Sequence, residues 1–269
     1  MTVINMWRGS RVLAASLALT AFLGTNLAMA DVSWAVFDAK AGRFLGTDNA
    51  EKLRPPASLA KMMTLYLTFE AIRAGKLNWD DQLFVSRNAA DKIPTKLGLK
   101  SNETVSVRDA VNGMIVISAN DAATAVAEHI SGSEAAFGRL MTERAKNIGM
   151  KDTVFSNPSG LTDGAKQLTT ARDMAMLGIA LERDFPKEFR LFSQPSIEFR
   201  GQQRKGHNNL MYRYGVIDGI KTGYTTAAGF NLVSSLRLDN GHLIGVVLGG
   251  QSARSRDEQM EALLKQFST

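Results

Sequence analysis

Pro55-Pro56-Ala57-Ser58-Leu59-Ala60-Lys61-Met62-Met63 joins a rigid entry to an apolar segment that carries one hydroxyl and one amine near its start. Proline disfavours helical geometry in the residue before it and serine is a favoured N-cap, so a helix is predicted to begin at or near Ser58 and to end at Gly75. Met62, Leu65, Phe69 and Ile72 make one apolar stripe, and Met63, Tyr66, Leu67 and Ala71 extend it nearly all round, the mark of a buried helix. Its first turn is then partly withdrawn from water.

Ser58 and Lys61 are three apart, neighbours on one helical face. A serine hydroxyl is a poor nucleophile until a base takes its proton, and an amine is such a base only when its pKa is brought toward neutrality. Burial does this, and the positive end of the helix dipole adds to it. The amides of a helix start can also stabilise an oxyanion. A capping serine followed by a solvated lysine has the same spacing, so the pair decides nothing without further motifs.

The first acidic residue is Asp31. Before it stand Arg8 and Arg11, an apolar run from Val12 to Leu23, and Ala28-Met29-Ala30, the three parts of a secretory leader cleaved after Ala30. The run is too short for a comfortable membrane span, and the separated arginines disfavour the twin-arginine route. Residues 1–30 are thus expected to be a signal peptide and residues 31–269 one domain, exported to the periplasm or another extracytoplasmic space. The formal net charge of +6 is spread without long basic runs, which does not imply nucleic acid but suits an anionic envelope polymer. The chain has no cysteine, so disulfides and thiolate chemistry are excluded. His129, His207 and His242 are scattered without metal-ligand spacing, and His129, on an apolar helix, reads as core.

Short strands are predicted over Trp34–Phe37 and Arg43–Leu45, then the central helix, then a brief strand at Leu83-Phe84-Val85. Helices are predicted from Val107 to Ile117, Asp121 to Ile130, Ser133 to Asn147 and Thr170 to Glu182. Ser196–Phe199, Val216–Lys221, Phe230–Leu238 and His242–Leu248 read as strands, with Asn240-Gly241 a hairpin signal before the last, and Gln259–Phe267 as a closing amphipathic helix. Strands at both ends with helices between predict an α/β (α+β) fold: an antiparallel sheet assembled from both termini, flanked by helices, with an inserted helical lobe. The Ser58 helix falls at the junction, where a cleft would sit.

Ser58-Leu59-Ala60-Lys61 is the only S-x-x-K and Lys221-Thr222-Gly223 the only K-T-G in the chain. Of two S-x-N triplets, Ser86-Arg87-Asn88 follows a short strand where such residues favour turns, whereas Ser118-Ala119-Asn120 lies where one apolar helix gives way to the next and can point short polar groups into a cleft. Ser118 is suited to passing a proton toward a leaving amine and Asn120 to holding a peptide group. Lys221 supplies charge for a terminal carboxylate and helps keep Lys61 neutral, and Thr222 adds a hydroxyl. Gly223 permits close approach, and the Tyr224 amide is a candidate second oxyanion donor.

With these motifs in order, the chain from Asp31 onward resembles the D-alanyl-D-alanine carboxypeptidase family of low-molecular-mass penicillin-binding proteins. Asn157-Pro158-Ser159-Gly160-Leu161 and Thr170-Ala171-Arg172-Asp173-Met174-Ala175 are similar to that family too. The resemblance implies a β-lactamase/transpeptidase-like fold and acyl transfer. Ser58 would attack the penultimate D-alanine of a peptidoglycan stem peptide and release terminal D-alanine, and β-lactam antibiotics would acylate the same serine. It implies no metal or organic cofactor. An arginine near the end of the domain can bind carboxylate in the family; Arg256 is the closer match and Arg254 the rival. Larger members carry a C-terminal β-rich domain and a membrane-binding tail; this chain stops after its last helix, so no stable membrane anchor is expected and some weight shifts toward short members that cut cross-links as D,D-endopeptidases. Ala119 in the S-x-N element and the absence of E-x-x-L-N after it weaken a β-lactamase reading. A catalytically idle peptidoglycan-binding or β-lactam-sensing module is the alternative of a different class.

Overall fold

The computed structural model describes residues 31–162, 166–239 and 241–268. The expected signal peptide and Asn240 of the hairpin signal lie outside the described residues. The chain opens with β1 (Ser33–Asp38) and β2 (Arg43–Asp48), a hairpin whose Asp38 carboxylate accepts from the Lys40 and Ala41 amides at the turn. A 3-10 turn, Ala57–Leu59, leads into α1 (Ala60–Arg73), buried from Ala60 to Phe69 as its all-round apolarity predicts.

A helical lobe follows. β3 (Gln82–Phe84), α2 (Arg87–Ala90) and β4 (Thr104–Ser106) precede α3 (Val107–Val116), α4 (Asn120–Ser131) and α5 (Glu134–Asn147). Ser106 and Ser133 cap α3 and α5 by accepting backbone amides. His129 is exposed near the end of α4 rather than in the core, because the buried stripe of that helix ends at Ala127. Next come α6 (Ala171–Asp184), capped by Thr170, and α7 (Pro186–Phe189).

β5 (Ser196–Phe199) and β6 (Gln202–Lys205) pair only with each other, so Ser196–Phe199 does not join the main sheet. After α8 (Asn209–Arg213), β7 (Ile217–Thr225), β8 (Gly229–Leu238) and β9 (Gly241–Gly250) complete that sheet in the order β2-β1-β9-β8-β7, all antiparallel. The last helix, α9 (Ala253–Phe267), begins six residues before the predicted Gln259, because Ser252 and Ser255 form a capping box that the polar first turn hid.

The register sets the two faces. Ala35, Val246, Val233 and Lys221 stand opposite one another across the sheet, on the side of the core that holds α1, α3, α4 and α6. Val36, Val247 and Leu232 face the other way, onto Met260, Leu263 and Leu264 of α9. Both faces of β8 and β9 are covered, which explains their near-continuous apolar sequence. β7 is an edge strand, and Lys221 is the one charged residue in that buried row.

Candidate active site

Ser58 is not an N-cap. It lies inside the 3-10 turn, half-buried, and α1 starts two residues later. Ala57 adopts φ 48°, a left-handed conformation that costs a residue with a Cβ about 1–2 kcal/mol. Two contacts hold the turn there. Gly160, itself at φ 80°, packs so closely that a Cβ on it would overlap the Ala57 carbonyl. Across the turn, Asn231 of β8 donates its amide to the Pro55 and Pro56 carbonyls at 3.1 and 3.2 Å. The same Asn231 accepts from the Gly249 amide at 2.8 Å, so the turn is strapped to the sheet.

Lys61 is completely buried beneath this turn. Its Nζ lies 2.7 Å from Asn120 Oδ1, 2.7 Å from the Ser159 carbonyl and 3.1 Å from Ser58 Oγ. Two of these partners are carbonyl oxygens that can only accept. A neutral amine donates two hydrogens and keeps one lone pair, so its lone pair falls toward the Ser58 hydroxyl. Burial, and then the charge of Lys221, hold the amine well below the ordinary lysine pKa, with Asp121 acting the other way.

Ser118 and Asn120 sit at the α3/α4 joint. Ser118 is at φ 62°, and its Oγ is buried with no hydrogen-bond partner among the described residues. Asn120 donates Nδ2 to the Ile93 carbonyl at 2.8 Å, and its backbone amide donates to Thr95 O at 2.8 Å. Its first task is therefore to fix Lys61, which leaves one N–H and one lone pair for a substrate. The wall that holds it is fixed in turn by Asp121, whose carboxylate accepts the amides of Leu97, Gly98 and Leu99 at 2.8–3.0 Å.

Gly223 of β7 abuts the nucleophile's turn: a Cβ there would lie 3.1 Å from the Ser58 amide nitrogen and 3.2 Å from that of Leu59. Ser58, Ser118, Asn120, Thr222, Gly223, Tyr224 and Arg256 line one cleft of about 320 Å³. Lys221 lies behind it, lining a cavity of about 20 Å³ that shares Thr222 and His207 with the cleft. Burial and then Arg256 bring the Lys221 amine down from the ordinary lysine range to about 7. Arg256 is buried, pairs with Asp257 at 2.8 Å and donates to the Asn231 carbonyl at 3.1 Å. Arg254 is exposed and pairs with Glu258, so of the two it is Arg256 that lines the cleft. Among the described residues no group of three or more His, Cys, Asp or Glu is placed to hold a metal.

The Ser159 carbonyl, Asn231 and Asp121 are not marked as site residues in the sequence, and His207 enters there only as a histidine without metal-ligand spacing. The irregular Asn157–Leu161 turn was a visible signal for the first, with Asn157 Oδ1 accepting the Ser159 and Gly160 amides. The others are single polar residues without spacing that marks them.

The family model described as D-alanyl-D-alanine carboxypeptidase matches residues 21–252. The chain belongs to that family. It is 38% identical over 239 residues to the D-alanyl-D-alanine carboxypeptidase DacC of Escherichia coli (strain K12), an alignment covering 86% of this chain and 60% of the relative. The chain thus spans about 60% of the length of that carboxypeptidase. The crystal structure of the carboxypeptidase DacD from Francisella tularensis superposes with a TM-score of 0.83 at 33% identity, covering 87% of this chain and 69% of that one. Penicillin-binding protein D2 of Listeria monocytogenes, solved in its ampicillin-bound form, superposes at 0.79 and 32% identity, covering 87% of this carboxypeptidase-family chain and 95% of that one. The fold is the mixed, transpeptidase-like one expected from the motifs.

Proposed function

We propose that residues 31–269 act as a serine D-Ala-D-Ala carboxypeptidase on peptidoglycan stem peptides, outside the cytoplasm after cleavage following Ala30. The observation that carries this reading is the Lys61 amine, wholly buried, with two carbonyl acceptors and the Ser58 hydroxyl at 3.1 Å.

Lys61 takes the Ser58 proton as Oγ bonds to the carbonyl carbon of the penultimate D-alanine. The Ser58 and Tyr224 amides face the oxygen that becomes negative. The proton travels through Ser118 to the leaving nitrogen, the C–N bond breaks, and D-alanine departs as the acyl-enzyme forms. Water, deprotonated by Lys61, then attacks the ester and restores Ser58. Lys221, Thr222 and Arg256 hold the terminal carboxylate. The free edge of β7 can pair with an extended peptide, so backbone hydrogen bonds align the scissile bond. Penicillins enter the same path and acylate Ser58.

A fluorescent penicillin should label the intact protein covalently and fail to label Ser58→Ala. An intact protein that does not label is the result expected of an idle binding module. A D-Ala-D-Ala pentapeptide and a cross-linked muropeptide dimer, with products read by mass, then separate loss of D-alanine from release of monomer.

A further inference from the structure

One imidazole stands in the cleft without a part in acyl transfer. His207 follows the β5/β6 hairpin and lines both the cleft and the small cavity that reaches Lys221. The residue after it is fixed against β7, since Asn208 donates its amide to the Gly219 carbonyl at 3.0 Å. Basic residues of three elements are near the imidazole: Lys221 of β7 lines the small cavity with it, Arg256 of α9 lines the cleft with it, and Arg204 of β6 stands three residues before it. Arg256 is paired with Asp257, and Arg204 is turned to the Lys96 and Leu97 carbonyls at 2.9 and 3.2 Å.

Desolvation by the cleft walls, then Lys221, Arg256 and Arg204, hold His207 below the ordinary histidine pKa. With Lys221 brought down to about 7, the empty cleft carries less positive charge than its residues suggest. An anion placed among these groups reverses the terms that keep the imidazole neutral.

We propose that His207 is a specificity-determining residue for the anionic end of the substrate: it takes a proton from solvent when a carboxylate seats beside Lys221 and Arg256, so the cleft gains a cation only while occupied. This rests on the acyl-transfer reading and extends it to a residue outside the three motifs. Proton linkage gives the effect a sign. The imidazole contributes nothing well above its occupied-state pKa, and progressively more as pH falls toward its empty-state value.

The test compares acylation of Ser58 by benzylpenicillin, which bears a carboxylate, with acylation by its methyl ester, in the wild type and in His207→Gln. Taking the ratio of wild-type to variant rate constants at each pH cancels the titration of Lys61, which both proteins share. With the carboxylate the ratio should climb by about tenfold between about pH 8 and about pH 5.5, the effect of one pKa unit between empty and occupied cleft. With the ester it should stay within about twofold, and His207→Arg, a lasting cation, should keep its preference for the carboxylate without the pH dependence. A flat ratio with the carboxylate, or an equal climb with the ester, overturns the assignment to His207 and leaves acyl transfer standing. Failure of the wild type to be acylated at all removes the acyl-transfer reading, and the His207 proposal with it.

Discussion

Replacing Gly223 by alanine separates the packing of the cleft from its chemistry. The glycine is not in the left-handed region, so the new methyl meets no backbone strain. It does meet the nucleophile's turn, at 3.1 Å from the Ser58 nitrogen and 3.2 Å from both the Leu59 nitrogen and the Pro56 oxygen. Relief needs shifts of a few tenths of an ångström, at the low end of overpacking costs, about 1 kcal/mol. For a chain of this size that lowers the melting temperature by about 2–4 °C. The methyl also crowds the Ser58 amide at the proposed oxyanion site, and loss of one such donor slows chemistry by about 10²–10³-fold. Calorimetric melting and the second-order rate of penicillin acylation measure the two effects on the same sample. Acylation within about threefold of wild type would refute the placement of the oxyanion site at this turn; a fall in melting temperature of about 10 °C or more would refute the claim that the contact is soft.

Gly160→Ala should behave oppositely, losing stability first: a Cβ at φ 80° costs about 1–2 kcal/mol and its overlap with the Ala57 carbonyl about 1–3 kcal/mol more, and a melting temperature within about 2 °C of wild type would count against it. Lys221, brought to about 7, should lose its proton above that pH, so kcat/KM for carboxylate-bearing substrates should fall on the alkaline side, approaching tenfold per pH unit. An ester without the carboxylate should show no such limb; the same limb with both would remove Lys221 from carboxylate recognition. His242 has its pKa raised by its hydrogen bond to Glu182, against opposing burial, with the Glu182 and Asp218 charges adding to the rise. A folded-state pKa above the unfolded one means stabilisation that is complete below about 6.5 and lost as pH rises through the folded value. The melting-temperature gap between wild type and His242→Gln should therefore shrink from about pH 5.5 to about pH 8.5; a constant gap would show that the contact is not ionic.

The parts of the site that were legible in the sequence are those where a side chain does the work and its neighbours are local. Ser58 and Lys61 became legible only together with the S-x-N and K-T-G motifs, and Asn120 by its position between two apolar helices; the structure brings Lys61 to 2.7 Å from Asn120 over a separation of 59 residues. The sheet was legible because covered strands are apolar and turns carry their own residues. What stayed hidden was of two kinds. A backbone carbonyl, such as that of Ser159, has no letter of its own. A single residue that ties distant segments, such as Asn231 to Pro55 and Pro56, makes no local pattern. Lys221 illustrates a third limit: its identity was plain, but its charge depends on the burial that the register of β7 imposes.

The register that seats Ala35 against Val246 also governs how late the sheet can close. Contacts so remote along the chain close slowly, because the loop between them must be ordered before they reward it. A growing or partly threaded polypeptide that has passed Ser58 but not Gly250 has no β9 to join the two ends and no Gly249 partner for the strap made by Asn231. The turn that carries the serine is therefore tied into the finished sheet only when the last strand arrives.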